Sequence, residues 1–129
     1  MSDELLFGAA QDDGTGVYAD KKWIIVAGSS YNATTNYDFG VARYKEIARG
    51  QILGDPNGML KLIFHIDTKK ILGVWCLGTQ ATELVHIGQA VMRLKGTAEY
   101  FIETVFNYPT LAECYKVAAF NGRNKIRCS

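Results

Sequence analysis

The sequence is poor in several things, and each shortage removes a class of protein. It has two prolines among 129 residues, 21% charged residues and 48% hydrophobic residues, which is not the composition of a disordered chain. Its longest apolar stretches, such as Trp23-Ile24-Ile25-Val26-Ala27, fall far short of the roughly 20 residues a membrane-spanning helix needs. A net charge of +1, with Lys61, Lys69, Lys70, Arg93, Lys95 and Lys116 scattered among acids, lacks the basic excess of a nucleic-acid binder. Three cysteines, Cys76, Cys114 and Cys128, make an odd set without a C-x-x-C pair, which argues for a reducing compartment and against a disulfide framework or zinc cluster. Two histidines leave little for metal or acid–base chemistry. Neither a G-x-G-x-x-G, a G-x-x-x-x-G-K-[ST] nor a G-x-S-x-G occurs, so no phosphate cradle or serine elbow is recognisable. The acidic start Met1-Ser2-Asp3-Glu4 is unlike a signal peptide, and the expected location is the cytoplasm. At this length one core can form, and two full domains cannot.

What is present divides at residue 22. Residues 1–22, with Asp3, Glu4, Asp12, Asp13 and Asp20 and no Lys or Arg, read as a polar lead-in, with a first strand possible from Thr15. Residues 23–129 read as one domain. Trp23 to Ala27 suggests a buried strand, and Tyr37, Phe39 and Val41 alternate with small or polar residues as in a half-buried one. Ala42 to Ile52 fits either a helical turn or extended chain. Met59 to Ile66 and Ile71 to Gly78, joined by Asp67-Thr68-Lys69-Lys70, form a hairpin signal.

After Gly78 the period lengthens to about 3.6. Leu84, Ile87, Gly88, Val91 and Leu94 share one helical face, with Thr79 placed as N-cap and Gly88 allowing a close approach to the sheet. A second helix is expected from about Ala98 to Phe106 behind Thr97. The third begins at Thr110-Leu111-Ala112-Glu113, a capping box, and ends at Asn121-Gly122. Strands first and helices last predict an α+β fold, an antiparallel sheet with helices packed on one face.

The chemical candidates are few. His65 and Asp67 make an H-x-D pair that no further ligand completes, so no metal is expected. His86, among Leu84, Val85 and Ile87, reads as a packed or interface histidine. Cys114, in the first turn of the last helix, sits where a helix dipole lowers a thiol pKa, and a small thiol enzyme is the remaining catalytic alternative.

The stretch from about Tyr37 to Ile126 resembles the C-terminal dimerisation domain of class I pyridine nucleotide-disulfide oxidoreductases, and within that class the soluble, flavin-containing transhydrogenases. The likeness rests on Phe39 to Ile52 (FGVARYKEIARGQI), Gly58 to His65 (GMLKLIFH), Ile71 to Val74 (ILGV), Ala81 to Ala90 (ATELVHIGQA) and Phe106 to Thr110 (FNYPT). Thr15-Gly16-Val17-Tyr18 is similar to the start of that domain's first strand. The resemblance implies a parent enzyme with FAD and NAD(P) domains, and a chain that by itself binds no cofactor and has no catalytic residue of its own. Disulfide-reducing members carry His-Pro-Thr-x-x-Glu here. Tyr108 stands in place of that His, while Pro109, Thr110 and Glu113 match. The substitution suits hydride transfer from NADPH through flavin to NAD, which protonates no thiol. By the same resemblance the Tyr108-Pro109 peptide is expected to be cis, and Tyr108, Pro109, Thr110 and Glu113 to lie near the partner subunit's flavin.

Homodimer formation is the implied partnership, through His86, Phe101, Phe106, Tyr108 and Phe120, with a full-length flavoprotein subunit or an orphan adaptor role as alternatives. Residues 19–36 depart from the family. Lys22 to Asn32 (KWIIVAGSSYN), running into Tyr37 to Tyr44, is similar to a bacterial all-β repeat, which suggests a fusion within the shared stretch.

Overall fold

The computed structural model describes residues 16–20, 23–27 and 36–128. The lead-in before Gly16 and the stretch 28–35 lie outside the described residues. Five strands, β1 (Gly16–Asp20), β2 (Trp23–Ala27), β3 (Tyr37–Arg43), β4 (Met59–His65) and β5 (Ile71–Leu77), form one sheet in the order β1-β2-β5-β4-β3. Every neighbouring pair is antiparallel. The first strand begins one residue after the expected Thr15. A 3-10 turn at Tyr44–Glu46 leads into α1 (Ala48–Leu53), so the open reading of Ala42 to Ile52 resolves as extended chain to Arg43 and helical turns after it. Three helices follow, α2 (Ala81–Arg93), α3 (Ala98–Glu103) and α4 (Glu113–Cys128).

The β4–β5 hairpin shows why one face is covered. Along β4, Leu60, Leu62 and Phe64 are fully buried, whereas Met59, Lys61, Ile63 and His65 are half-buried, the period-2 alternation of a two-sided strand. Register places Gly40 beside Leu62 and Leu62 beside Val74, then Ala42 beside Leu60 and Leu60 beside Cys76. These rows make the covered face. α4 lies over β3 and β4, and α2 over β5 and β2.

Two glycines set the α4–β3 distance. A Cβ on Gly40 would stand 1.7 Å from the Ala118 carbonyl oxygen, and one on Gly122 would stand 2.5 Å from Phe64. Asn121-Gly122 therefore does not end the helix. Tertiary packing uses the glycine for close approach and α4 runs on to Cys128. Asn121 instead reaches the sheet edge, its Oδ1 accepting the Val41 N–H at 3.1 Å, while Lys125 Nζ donates to the Phe39 carbonyl at 3.1 Å. Two outward-facing backbone groups of edge strand β3 are thereby satisfied by side chains of α4.

Gly88 performs the expected close approach on α2. A Cβ there would stand 2.5 Å from Val74 and 2.8 Å from the Tyr115 hydroxyl. That hydroxyl accepts the Gly88 N–H at 2.9 Å and donates to the Leu84 carbonyl at 2.8 Å, so the buried phenol is fully engaged.

Thr79 is not the cap of α2. Gln80 takes that position with a left-handed backbone and no side-chain cap. The Thr79 N–H and hydroxyl both donate to Asp55 Oδ2, at 2.8 and 3.0 Å, and Asp55 Oδ1 accepts from Asn57 and Gly58. An isolated capping pattern cannot reveal a carboxylate 24 residues away. Leu94, placed on the apolar stripe by spacing, falls at the C-cap and is 82% exposed.

Candidate functional site

Between the end of α3 and the start of α4 the chain runs without regular structure from Thr104 to Ala112. The sequence pattern extended the second helix to Phe106, yet α3 stops at Glu103. Thr104 explains the stop: its N–H and hydroxyl both return to the Tyr100 carbonyl, and the Lys116 ammonium donates to the Thr104 carbonyl at 3.0 Å. The freed segment holds Val105, Phe106 and Tyr108 in front of α4.

The Tyr108–Pro109 peptide is cis. Thr110 and Glu113 form half of the expected box. The Thr110 N–H donates to Glu113 Oε2 at 3.2 Å, but the Thr110 hydroxyl donates to the Asn107 carbonyl at 2.7 Å instead of accepting the Glu113 N–H. α4 accordingly starts at Glu113, three residues later than the sequence pattern placed it, and its first turn carries three backbone bonds of 3-10 spacing. The hydroxyl closes the loop behind Tyr108 and the carboxylate braces it from α4.

This loop borders a groove of ≈ 490 Å³ whose walls include Tyr108, Glu113, Phe106 and Phe120, together with Glu46 and Val117. Of the residues singled out from the sequence, Tyr108, Glu113, Phe106 and Phe120 therefore meet at one place. Tyr108 is 75% exposed and its neighbour Val105 is 91% exposed. Phe120 is half-buried with the Arg123 guanidinium 4.7 Å over its ring. Val105, Glu46 and Lys116 were not singled out. Val105 sat inside the presumed helix, where its exposure was invisible.

The remaining candidates separate. Phe101, expected at the subunit surface, is fully buried and stacked on Tyr115 with ring centroids 4.7 Å apart, so it belongs to this chain's own core. His86 is exposed on α2, its Nδ1 2.9 Å from Gln89 Oε1, away from the residues that wall the groove. His65 is a turn residue: its Nδ1 accepts the N–H groups of Asp67 and Thr68 at 3.1 and 3.3 Å. Among the described residues no three His, Cys, Asp or Glu side chains gather as a metal site.

Cys114 is fully buried, and burial pushes its thiol up to about 12, with Cys76, Glu46 and Glu113 adding in the same direction. The helix-terminus effect expected to favour its thiolate is outweighed by loss of water. Cys76 is likewise pushed up to about 12 by burial. Burial thus holds both thiols in their protonated form, which argues against the small thiol enzyme built on Cys114.

A two-layer α+β domain carrying an exposed apolar loop braced by a Pro-Thr-x-x-Glu segment is the architecture of an interface module. Residues 29–119 match the family model described as pyridine nucleotide-disulphide oxidoreductase, dimerisation domain, and the chain belongs to that family. Its relatives include soluble pyridine nucleotide transhydrogenases. That of Hahella chejuensis is 56% identical over 97 residues, covering 73% of this chain and 21% of its own. That of Escherichia coli O6:K15:H31 is 47% identical over 122 residues, covering 90% of this chain and 26% of its own. The latter match runs across residues 19–36, the stretch set apart by the sequence, where β2 takes its place between β1 and β5.

Among solved structures, the HOCl-induced flavoprotein disulfide reductase RclA from Escherichia coli superposes with TM-score 0.71 at 18% identity, over 82% of this chain and 26% of its own. LpdA from Mycobacterium tuberculosis gives 0.72 at 16% identity, over 86% and 25%. These two share the fold. The chain thus spans about a quarter of the length of the proteins it matches.

Proposed function

We propose that this chain is the self-association module of a soluble, transhydrogenase-like flavoprotein, and that two copies pair through the surface around Tyr108. The observation that carries the reading is the exposed apolar loop, Val105 at 91% and Tyr108 at 75%, beside a groove of its own. Apolar side chains so placed favour a partner over water. Phe106, Phe120 and, on α2, His86 complete the proposed contact surface, and Phe101 leaves it.

In the parent enzyme FAD and NAD(P) belong to other domains, and Tyr108, Pro109, Thr110 and Glu113 face the partner subunit's flavin. Taken alone, the groove does not suit a dinucleotide. A pyrophosphate needs free N–H donors and positive charge, whereas the Thr110 N–H is already given to Glu113 and the one ammonium on the walls, that of Lys116, is offset by the Glu113 carboxylate. Glu46 adds a second carboxylate to the walls. The chain by itself is therefore colourless and inactive in this reading. No described helix is long and apolar enough to cross a membrane, and a cytoplasmic location belongs to the same reading.

Sedimentation velocity over a wide concentration range tests the pairing. A dimer is expected, with Val105→Ser combined with Tyr108→Ala shifting it toward monomer by tenfold or more in Kd, about 1.4 kcal/mol. A monomer at every concentration would refute it, and a yellow preparation with stoichiometric FAD would refute the cofactor assignment. One further form of the same pairing is with a full-length flavoprotein subunit, which would present the same surface. A mixed dimer on co-incubation with a soluble transhydrogenase supports that form.

A further inference from the structure

Helix α1 carries an apolar residue that the fold does not use. Gly50 and Leu53 hold this helix to the chain's own core: a Cβ on Gly50 would stand 2.0 Å from the Tyr44 carbonyl oxygen, and Leu53 packs against the buried cluster. The other side of the helix presents Ala48 and, four residues on, Ile52, with Arg49 sharing that face. Ala48 lines the groove, and Ile52 is 65% exposed. Of the exposed large apolar residues described, Val105 and Tyr108 lie on the loop that borders the groove, and Ile52 is the one carried by another of its elements. The apolar surface therefore continues from the loop, across the groove, onto α1. Charge follows the same division. On the walls, Glu46 accepts the Arg43 N–H at 2.8 Å, Glu113 accepts the Thr110 N–H and Lys116 donates to the Thr104 carbonyl, so each is engaged within the chain. Arg49 on the α1 side and exposed Glu103, two residues before Val105 on the loop side, differ: the ion pairs among the described residues are His65–Asp67 and Arg123–Glu99.

We propose, resting on the pairing through Tyr108 stated above, that α1 is the counter-surface in the second copy. Ala48 and Ile52 of one copy receive Val105 and Tyr108 of the other, and Arg49 faces Glu103 across the interface. An isologous contact has to be self-complementary, because every contact occurs twice. A twofold axis running along the groove, between α1 and the loop, exchanges the two sides and meets that condition for the apolar and the charged parts together. Exposed apolar side chains of the loop gain an apolar surface, and an unpaired cation gains an unpaired carboxylate. A second copy is favoured over a partner of one charge sign, which would set either Arg49 or Glu103 against its like.

Sedimentation velocity on the full chain reads the arrangement. Ile52→Asp is expected to raise the dimer Kd by about tenfold or more. Arg49→Glu and Glu103→Arg are each expected to raise it by roughly threefold or more, since either change alone opposes like charges twice across the axis. An equimolar mixture of those two variants should recover the Kd of the unchanged chain, because in the mixed dimer both contacts again join opposite charges. A role within one chain gives no such recovery. Salt at about 0.5 M should shrink the charge effects and leave that of Ile52→Asp. Circular dichroism of each variant separates weakened pairing from unfolding. A Kd unchanged by Ile52→Asp, or a mixture without recovery, with the fold retained and the unchanged chain dimeric, overturns this arrangement and leaves the Tyr108 pairing standing. An unchanged chain that is monomeric at every concentration overturns both.

Discussion

The two faces of one sheet obey different rules. On the helix-covered face Leu60, Leu62, Phe64 and Val74 are fully buried, and side-chain size is fixed to a fraction of an ångström by Gly40, Gly88 and Gly122. On the other face Phe39, Lys61 and Ile63 are half-buried, and the Lys61 ammonium rests between the Phe39 and Trp75 rings. The covered face specifies the fold, while the loop at Tyr108 is a surface with room for a partner.

This contrast predicts a graded set of losses. The largest should follow Gly40→Ala, because the new methyl meets backbone, the Ala118 carbonyl, rather than a side chain that can swing away. We expect about 3 kcal/mol or more, read by chemical denaturation, since α4 must lift from β3. A loss below about 1 kcal/mol would show that the crossing is looser than described.

Tyr115→Phe comes next. It leaves the Leu84 carbonyl and Gly88 N–H without their buried partner, with an expected destabilisation of about 1–3 kcal/mol and retained packing on Phe101.

Asp55→Ala should remove about 1 kcal/mol, by untying the loop before β4 from the loop after β5. Its carboxyl is held below the usual range, first by the backbone N–H of Thr79, against a smaller opposing effect of burial. A depressed native pKa means that the ionised form is favoured by folding. That stability is present above the ordinary carboxylate range and is lost as pH falls through the native value. Acid unfolding curves of Asp55→Ala and the unchanged protein should therefore converge at low pH, and parallel curves would break the assignment.

Cys128, exposed at the end of α4, should react with iodoacetamide in the native protein while Cys76 and Cys114 do not. Mass spectrometry should count one adduct natively and three after denaturation, a direct reading of which thiols the covered face encloses. The smallest effect on stability is expected for Tyr108→Ala, within about 0.5 kcal/mol, because its side chain is mostly in water.

How much of this was legible beforehand follows from the range of each interaction. The hairpin is local, set by alternation in Met59 to His65 and the polar turn after it, and the strands stand where the pattern put them. Gly88 was legible because a glycine in an apolar helical stripe has few local justifications. Asn121-Gly122 misled, since the same dipeptide that ends an isolated helix also serves a helix pressed against a strand. Thr79, Thr110 and Thr104 misled for a related reason. A hydroxyl near a helix end has several possible partners, and the choice among Asp55, Asn107 and Tyr100 depends on which loop folds back.

By itself the sequence determined the fold class, the order of strands and helices, the family and the segment Tyr108 to Glu113, because hydrophobic period, turn chemistry and a run of matching residues act over short distances along the chain. Only the tertiary structure decided that Phe101 is core, that Cys114 is sealed, that α3 ends early enough to push Val105 and Tyr108 outward, and that the described helices cover one sheet face and not the other. Burial belongs to pairs of elements brought together across the chain, and no single segment carries it.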